Sequence, residues 1–466
     1  MNHHRYFAAA DRPIETCVVG SGSFGRSFLA QGRKVPLMRA RVAVDVDAMT
    51  AVEAFKSAGV DLRDIAVCAT AAEAKAAWDA GRCIAAGGLA VVIGLPIDVI
   101  VEATGHPEAG ARHARMAVEA DRHLVLVSKE VDSVVGPGLA RQARARGRVV
   151  TPVDGDQPSL LIGLVTWAET LGFTIVAAGK SSEYDFVFDA SAQTMTSNNI
   201  TVATPGFAAH WALGSRAVGE LVEARAHAAA ALPQRTVPDL CEMLIVGNAT
   251  SLTADRVDFH APIARIAEVP TMFATRAERG AAGGLLVDDR RLDVFNCLRA
   301  PDEISFAGGV FVIVRCEDQA TWAMLREKGH ILGRDGATAM VWLPRHLLGL
   351  EAATSVLEAA VLGRSSGSDD PQPRLDLAAR ADADIPAGTV LTASGHHHSI
   401  ANVSGIIVPG AAALGAGVPI PYYLAANRRL LRAIAKGATI LCGDVELDET
   451  SVLLALRRQQ DAMFFG

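Results

Sequence analysis

Aromatic side chains are scarce in this sequence, and so are long unbroken apolar runs, paired cysteines and excess positive charge. Phe, Trp and Tyr make up 5% of 466 residues, which together with 42 glycines favours an α/β scaffold over an aromatic-rich β sandwich. Lys plus Arg number 44 and Asp plus Glu number 51, giving a net charge of −7. This charge offers no electrostatic basis for binding nucleic acid or an anionic membrane, so the expected partner is a small-molecule substrate.

The sequence also lacks an apolar segment suited to crossing a membrane and a cysteine pattern suited to a disulfide framework. The longest uncharged stretch, residues 402–427, contains three prolines and several glycines, so it predicts irregular β structure and not a membrane-spanning helix. The N-terminus has no apolar core of a signal peptide. Seven scattered cysteines without a C-x-x-C pair indicate a reducing, cytoplasmic location.

A glycine-rich turn near the N-terminus predicts a dinucleotide site. The apolar run Glu15–Val19 ends at Gly20–Gly25, which reads G-x-G-x-x-G, and a second apolar run ends at Asp45. In such turns the glycines allow a tight bend and a close approach of pyrophosphate, and the later carboxylate binds the adenosine ribose. Asp45 would repel a 2′-phosphate, so NAD is favoured over NADP. The alternative is a glycine-rich turn in an unrelated α/β domain. The predicted cofactor-binding residues are Gly20, Gly22, Ser23, Phe24, Gly25, Asp45, Thr104 and Gly105.

Apolar, strand-like segments continue to alternate with helical ones up to residue 153. Ligands in parallel sheets bind beyond the carboxyl ends of the strands. The sequence therefore places Gly20–Gly25, Thr104–His106, Ser128–Glu130 and Asp154–Gln157 around one crevice. Lys129 lies in this set and is a candidate proton donor, although a solvated surface lysine is the alternative.

Further candidates for chemistry follow the crevice in the chain. Lys180 and Glu183 are predicted to leave the end of a strand, Phe173–Ala178, and a lysine there could polarise a carbonyl. Asp156 could act in the site or only cap the helix after it. Glu242 lies in an apolar helical segment, so it should pair with a lysine, a metal or substrate, unless it is a carboxylate at a solvated helix end. The predicted catalytic residues are Lys129, Asp156, Lys180, Glu183 and Glu242.

Four short segments resemble homoserine-dehydrogenase-type oxidoreductases. They are VEATG at 101–105, GP at 136–137, GDQP at 155–158 and AAGK at 177–180. The chain looks closest to the 1-deoxy-D-xylulose 5-phosphate reductoisomerase-like proteins, which carry a C-terminal SAF-type domain. The resemblance implies an NAD(P)-binding domain, a substrate and dimerisation domain, carbonyl chemistry assisted by a divalent metal, and a homodimer or homotetramer. Residues 181–189 and 194–214 diverge from this pattern, so the substrate does not carry over.

Oxygen ligands for Mg²⁺ or Mn²⁺ could come from Asp154, Asp156, Glu183 and Glu242, but their spacing matches no metal motif, and the ligands of any metal stay open. The run His396–His398 is predicted to form a solvated loop, with metal binding as the less favoured alternative.

The predicted architecture is α/β, with an N-terminal Rossmann-type parallel sheet, an α+β substrate and dimerisation domain and a small β-rich, β-clip or SAF-like C-terminal domain. The expected boundaries are 1–155, 156–363, a linker at 364–375, and 376–466. The expected function is NAD(P)-dependent hydride transfer to or from a small polar hydroxy or oxo compound, a sugar acid or sugar phosphate, with or without reductoisomerase-like use of a divalent metal. A homoserine-dehydrogenase-type reaction without isomerisation and a non-catalytic nucleotide- or carbohydrate-binding protein are the alternatives.

Overall fold

A computed structural model describes residues 2–277, 283–395 and 398–466. Two compact units divide the chain: the first holds residues up to 159, 347–404 and 410–466, and the second holds 160–346 and 405–409. This division differs from the expected domains, because the C-terminal residues pack into the same unit as the N-terminal sheet. Among the described residues, no helix has the length and apolarity needed to cross a membrane.

The first unit begins with a parallel sheet of seven strands. Its elements are α1 (His3–Tyr6), β1 (Ile14–Val19), α2 (Ser23–Gly32), β2 (Met38–Val44), α3 (Ala48–Ser57), β3 (Ile65–Cys68), α4 (Ala71–Asp79), β4 (Cys83–Ala86), α5 (Leu89–Val92), β5 (Val99–Glu102), α6 (Pro107–Glu119), β6 (His123–Leu126), α7 (Lys129–Ala145), β7 (Val150–Pro152) and α8 (Gln157–Thr170), which continues into the second unit. The strand order is β3-β4-β2-β1-β5-β6-β7, and every described pairing is parallel. The order reverses between β1 and β5, which is the position where doubly wound sheets bind ligands.

Burial explains why these segments form strands. All six residues of β1 and all four of β5 are buried, as expected for a parallel sheet covered on both faces. The α/β class with a Rossmann-type sheet is confirmed.

The second unit is built on a mixed sheet. Its elements after α8 are β8 (Ile175–Ser181), β9 (Phe186–Asp189), β10 (Thr194–Ser197), β11 (Ile200–Ala203), α9 (Val218–Ala228), α10 (Val237–Thr250), β12 (Thr253–Ala254), β13 (Ile263–Ala264), α11 (Val269–Met272), β14 (Arg291–Arg299), β15 (Val310–Arg315), α12 (Gln319–Glu327), β16 (Ile331–Leu332) and β17 (Thr338–Leu343). The order is β11-β10-β9-β14-β8-β15-β17-β16, with β8 parallel to β14 and antiparallel to β15. The central strand β8 is buried along its whole length, so its polar residues must find partners inside the protein.

The C-terminal residues form short strands and three helices of the first unit, apart from the end of β21. The elements are α13 (Ala353–Leu357), β18 (Leu375–Ala381), β19 (Ala393–Ser394), β20 (Ser399–Ile400), β21 (Val403–Pro409), α14 (Tyr422–Ala425) and α15 (Val452–Phe464). Ile385 and Ile434 exchange backbone hydrogen bonds, at 2.8 and 2.9 Å. Gly388 and Gly437, three residues after each, both have φ of +81°. The sequence Ile-x-x-Gly occurs at both 385–388 and 434–437, and the two copies share this backbone geometry.

Helix α15 docks on α7 through a break in the α7 hydrogen-bond ladder. Pro137 lies inside α7, and the amide of Gln460 accepts from the N–H of Gly138 at 2.8 Å and donates to the carbonyl of Val134 at 3.2 Å. These two backbone groups would bond to each other in a regular helix, so Gln460 replaces that bond.

The segment expected to be a linker, 364–375, is fixed to the sheet at its start. Ser366 donates its hydroxyl to Glu358 at 2.6 Å and its N–H to the hydroxyl of Thr151 at 2.9 Å.

Candidate active site

The glycine-rich turn after β1 has the geometry that the sequence predicts. Gly20 has φ of +98°, and a Cβ atom there would lie 2.5 Å from the carbonyl oxygen of Ala103. A Cβ atom at Gly25 would overlap the carbonyl oxygen of Gly20. At Gly22, by contrast, no atom lies within 4 Å of the Cβ position. The first and third glycines therefore let the chain pack, and the second leaves open space at the N-terminus of α2, where a phosphate group can approach the backbone.

Ser23 and Phe24 begin α2 on the open side of the turn. Ser23 is exposed and Phe24 is half-buried. Asp45, which follows β2, accepts a hydrogen bond from the N–H of Ser21 at 2.7 Å. The carboxylate is thus held beside the glycine turn, as a ribose-binding carboxylate requires.

At the end of β5, a buried carboxylate organises the next turn. Glu102 has no exposed surface and accepts from the hydroxyl of Thr104 at 2.6 Å, and its Oε1 lies 3.3 Å from Nδ1 of His113. Gly105, with φ of +66°, donates its N–H to the hydroxyl of Ser128 at 2.8 Å. The turns after β5 and β6 are therefore tied together across the crevice.

Lys129 and Asp156 meet at the carboxyl ends of β6 and β7. The ammonium of Lys129 lies 3.4 Å from the carboxylate of Asp156, and both side chains are largely buried. Asp156 also accepts from the N–H of Gln157 at 2.9 Å, so it stands before the first residue of α8. Asp156 therefore both precedes α8 and pairs with Lys129, so its two interpretations from the sequence, a helix-end residue and a site residue, are compatible.

Glu130 is a carboxyl group that sequence reasoning left unassigned. Burial raises its pKa to about 7, although the charge of Lys129 acts in the opposite direction. A carboxyl group that titrates near neutral pH can take up or release a proton in an active site.

A segment beginning at Leu347 packs on the cofactor turn and on the turn that carries Asp156. A Cβ atom at Gly349 would lie 2.6 Å from the nitrogen of Phe28 and 2.7 Å from the carbonyl oxygen of Phe24. The N–H of Leu348, whose φ is +52°, donates to the carbonyl of Gly155 at 2.9 Å. The segment thus joins the glycine turn to the position of Asp156.

In the second unit, Lys180 is fully buried between two carboxylates. Its ammonium lies 2.9 Å from Asp239 and forms a shorter contact with Glu242, both on α10. Hydroxyl groups of Ser182 and Thr236 donate to Asp239 at 2.9 and 2.8 Å. Burial would raise the pKa of Asp239, but the charge of Lys180 and these hydrogen bonds hold it below its usual value.

The predicted end of the strand that carries Lys180 is wrong. Strand β8 extends to Ser181, so Lys180 lies within it, and Glu183 follows in a bend where it is partly exposed. Pairing with β14 and β15 continues the strand beyond Gly179. The sequence predicts a lysine, a metal or substrate as the partner of Glu242, and in the structure this partner is Lys180. Sequence reasoning missed Asp239, although it stands one helical turn before Glu242.

A divalent metal does not fit the described residues. Within residues 2–277, 283–395 and 398–466, no three His, Cys, Asp or Glu side chains form a group that could hold a metal ion. Oxygens of Asp239 and Glu242 are engaged by the ammonium of Lys180. His396 and His397 lie outside the described residues.

Residues 155–352 match the family model of the catalytic domain of the oxidoreductase DRL. The matched region contains Asp156, Lys180, Asp239 and Glu242. It supports assignment to the oxidoreductases and does not resolve the reaction. No curated protein matches the chain.

Several solved structures of nucleotide-dependent enzymes are similar in part. Biliverdin reductase from Synechocystis sp. PCC 6803, in complex with biliverdin and NADP⁺, shares 16% identity, with 38% of this chain and 48% of that chain covered and a TM-score of 0.25. GenD2 from gentamicin A biosynthesis, in complex with NAD, shares 14% identity, with 76% and 88% covered and a TM-score of 0.36. DOX-P reductoisomerase with NADPH, fosmidomycin and magnesium shares 15% identity, with 50% and 57% covered and a TM-score of 0.29. The chain thus spans about half of the first and third of these proteins, and similarity at this level does not establish a shared reaction.

Proposed function

We propose that the protein is an NAD(P)-dependent oxidoreductase acting on a small polar hydroxy or oxo compound. The observation that carries the proposal is the glycine turn, which is closed at Gly20 and Gly25 and open at Gly22. A turn built only for tight packing would not require the open position. The match of residues 155–352 to an oxidoreductase catalytic domain supports the same function independently.

The residues around the turn fit a dinucleotide. The N–H groups at the start of α2, beginning with Ser23, would hold the pyrophosphate, and Asp45 would accept hydrogen bonds from the adenosine ribose. Thr104 and Gly105 would border the same molecule at the end of β5. A 2′-phosphate beside Asp45 would meet a carboxylate, so we favour NAD over NADP.

When bound, the nicotinamide ring supplies the acceptor or donor of hydride. The contribution of this chain is to manage the proton on the substrate oxygen. Asp156 stabilises the ammonium of Lys129, and a charged lysine can donate a hydrogen bond to an oxygen that gains negative charge. Glu130 follows Lys129 in α7, and its raised pKa lets its own carboxyl group take up or release a proton near neutral pH.

Lys180 is placed differently from Lys129. The fully buried ammonium of Lys180 pairs with two carboxylates of α10 and so orients this helix against β8. We therefore assign Lys180, Asp239 and Glu242 as positioning residues, and Lys129 with Asp156 as the catalytic pair. Glu183 is partly exposed in the second unit, and its role in binding substrate hydroxyls stays a prediction.

Among reactions of this class we favour one without isomerisation. A metal-assisted rearrangement needs free oxygen ligands, and oxygens of Asp239 and Glu242 are engaged by Lys180. This preference rests only on the oxygen ligands in the part of the chain that the structure describes.

Binding and turnover of the full chain test the proposal separately. NAD should bind more tightly than NADP by isothermal titration calorimetry. Asp45→Ala should weaken NAD binding and narrow the difference in affinity between NAD and NADP. Lys129→Met should keep NAD binding and lose turnover in an absorbance assay with small hydroxy acids and sugar acids, with and without EDTA. Absence of binding to either nucleotide would overturn the proposal, and nucleotide binding without turnover of any compound would favour a non-catalytic binding protein.

A further inference from the structure

The backbone immediately before Asp156 is held by two hydrogen bonds to a segment that comes much later in the chain. The N–H of Asp154 donates to the hydroxyl of Ser355 at 2.6 Å, and the carbonyl of Gly155 accepts from the N–H of Leu348 at 2.9 Å. A Cβ atom at Gly155 would lie 2.5 Å from the carbonyl oxygen of Leu348, so the two segments are in direct contact. Both residues that precede Asp156 are therefore fixed from outside their own turn.

Ser355 is the inner end of a chain of hydroxyl groups. It has no exposed surface. Oγ of Ser366 lies 2.8 Å from Oγ of Ser355 and donates to the carboxylate of Glu358 at 2.6 Å. The other carboxylate oxygen of Glu358 accepts from the hydroxyl of Tyr6 at 3.3 Å. Hydrogen bonds to a carboxylate are stronger than those between neutral groups, so Glu358 fixes the hydroxyl of Ser366 beside Ser355.

An uncommon helix ending follows Ser355. The turn Glu358–Leu362, directly after α13, is π-helical, and such turns are rare and frequently occur at functional sites. Ser355 and Glu358 are three residues apart, so both side chains lie on one face of the helix. Ser366, which contacts both, also donates its N–H to the hydroxyl of Thr151 in β7 at 2.9 Å. The hydroxyl chain is therefore anchored on the strand that leads into the turn before Asp156.

The position of Asp156 matters because of its partner. Asp156 is buried, and its carboxylate lies 3.4 Å from the ammonium of Lys129. The attraction between two charges inside a protein is weakly screened, so it changes strongly with their separation. Removal of the Ser355 hydroxyl would take away the acceptor of a buried N–H in the turn, which is costly to leave unpaired. The turn would then shift, and Asp156 would move relative to Lys129.

We infer that Ser355 is a positioning residue that holds Asp156 against Lys129 through the backbone of the β7–α8 turn. The hydroxyl chain that ends at Glu358 keeps the side chain of Ser355 in place. The inference rests on the proposed function, in which Lys129 and Asp156 are the catalytic pair. A substitution at Ser355 should therefore change the surroundings of Lys129, although α13 and α7 are far apart in the chain.

Trace acetylation of the full chain with acetic anhydride at pH 8, without nucleotide or substrate, measures the surroundings of Lys129. Mass spectrometry of the peptide that contains this residue gives the labelling rate. A neighbouring carboxylate favours the ammonium form, which does not react, so Asp156→Asn should raise the rate about threefold or more. Ser355→Ala should raise it about twofold or more, because Asp156 is displaced but keeps its charge. Ser366→Ala should raise it by a smaller factor.

Two controls separate displacement of Asp156 from general loosening of the fold. Ser451 is another buried serine of the first unit, and its hydroxyl caps α15 by accepting from the N–H of Leu454 at 3.1 Å. Ser451→Ala should lower the melting temperature and leave the labelling of Lys129 unchanged. Lys180 has no exposed surface, so it should stay unlabelled in every variant that keeps the fold.

A labelling rate equal to that of wild type in both Ser355→Ala and Ser366→Ala would overturn the inference, and so would an unchanged rate in Asp156→Asn. If Ser355→Ala also exposes Lys180 to labelling, that variant has lost the fold and Ser366→Ala decides.

Turnover with NAD and small hydroxy acids or sugar acids adds a second readout. Ser355→Ala should lower kcat about tenfold and leave the KM for NAD unchanged, because the catalytic pair is misplaced while the glycine turn is not. An equal loss of kcat in Ser451→Ala would assign Ser355 a structural role only. Labelling needs no nucleotide, so absence of NAD binding by wild type would overturn the proposed function and leave the labelling result standing.

Discussion

A Cβ atom on Gly25 would overlap the carbonyl oxygen of Gly20, whereas a Cβ atom on Gly22 would meet nothing within 4 Å. Two glycines of one motif thus serve the fold and one serves a ligand. Folding and binding can therefore be tested separately within this six-residue motif, because only a substitution at Gly22 leaves the protein's own packing unchanged.

We therefore expect opposite profiles for two alanine variants. Gly25→Ala should lower the free energy of unfolding by about 1–3 kcal/mol, the usual cost of overpacking. Gly22→Ala should unfold like wild type but bind NAD at least tenfold more weakly, because its methyl group occupies the space needed by the pyrophosphate. Urea unfolding and calorimetric titration with NAD check both. Unchanged NAD affinity in Gly22→Ala would contradict the assignment of the turn.

The segment at Leu347 predicts an effect on the cofactor from a residue distant in sequence. Gly349→Ala should push the chain away from Phe24 and Phe28, because its Cβ would stand 2.6–2.7 Å from their backbone atoms. NAD affinity should fall along with the melting temperature. Gly363→Ala is a matched control, because Gly363 follows α13 in the chain as Gly349 precedes it. Its φ of +62° brings strain, but the Cβ position is open. It should lower stability and leave NAD affinity unchanged, and an equal loss of NAD affinity in both variants would contradict a specific link.

Sequence alone predicted the glycine turn and the parallel strands, because a local motif and continuous apolar runs carry them. It did not predict β3 and β4, which have only four residues each. Strand β4 is held by pairing with β2, and β3 is held by pairing with β4, and a single sequence does not display these pairings.

Some residues of the candidate site could likewise be predicted from the sequence, and others could not. Asp45 follows from its distance to the motif, and the need of Glu242 for a partner follows from its apolar surroundings. The position of Lys180 inside β8 depends on pairing with two strands more than a hundred residues away, so it was misplaced. The importance of Glu130 comes from its burial, which no spacing rule reveals.

Lys180 and Lys129 should respond differently to the same substitution. Lys180→Met would leave Asp239 and Glu242 buried without their cation, which typically costs about 3–5 kcal/mol. The double variant Lys180→Met/Glu242→Met should regain part of this loss, because it also removes one of the stranded charges. Lys129→Met should cost less stability than Lys180→Met, because it leaves one carboxylate without its cation and not two, while it abolishes turnover.

Urea unfolding of the three variants beside turnover assays measures both effects. A stability of Lys180→Met within about 1 kcal/mol of wild type would show that the buried pairs do not hold α10 in place.

The raised pKa of Glu130 predicts how stability depends on pH. The usual pKa of a glutamate is near 4.3, and that of Glu130 in the folded protein is about 7. Between these values the folded state holds a proton that the unfolded state has lost, so the contribution of Glu130 to stability decreases as pH rises. It is fully present below about pH 4 and is lost above about pH 7, a change on the order of 3 kcal/mol.

Glu130→Gln removes this titration, so its stability relative to wild type should increase as pH rises from about 4.5 to 8. Glu119→Gln, at an exposed glutamate of α6, is the control and should show no such trend. Urea unfolding at several pH values measures the differences and cancels the titrations that the variants share. Parallel curves for wild type and Glu130→Gln would mean that Glu130 ionises normally. It would then carry a fixed negative charge and could not take up a proton near neutral pH.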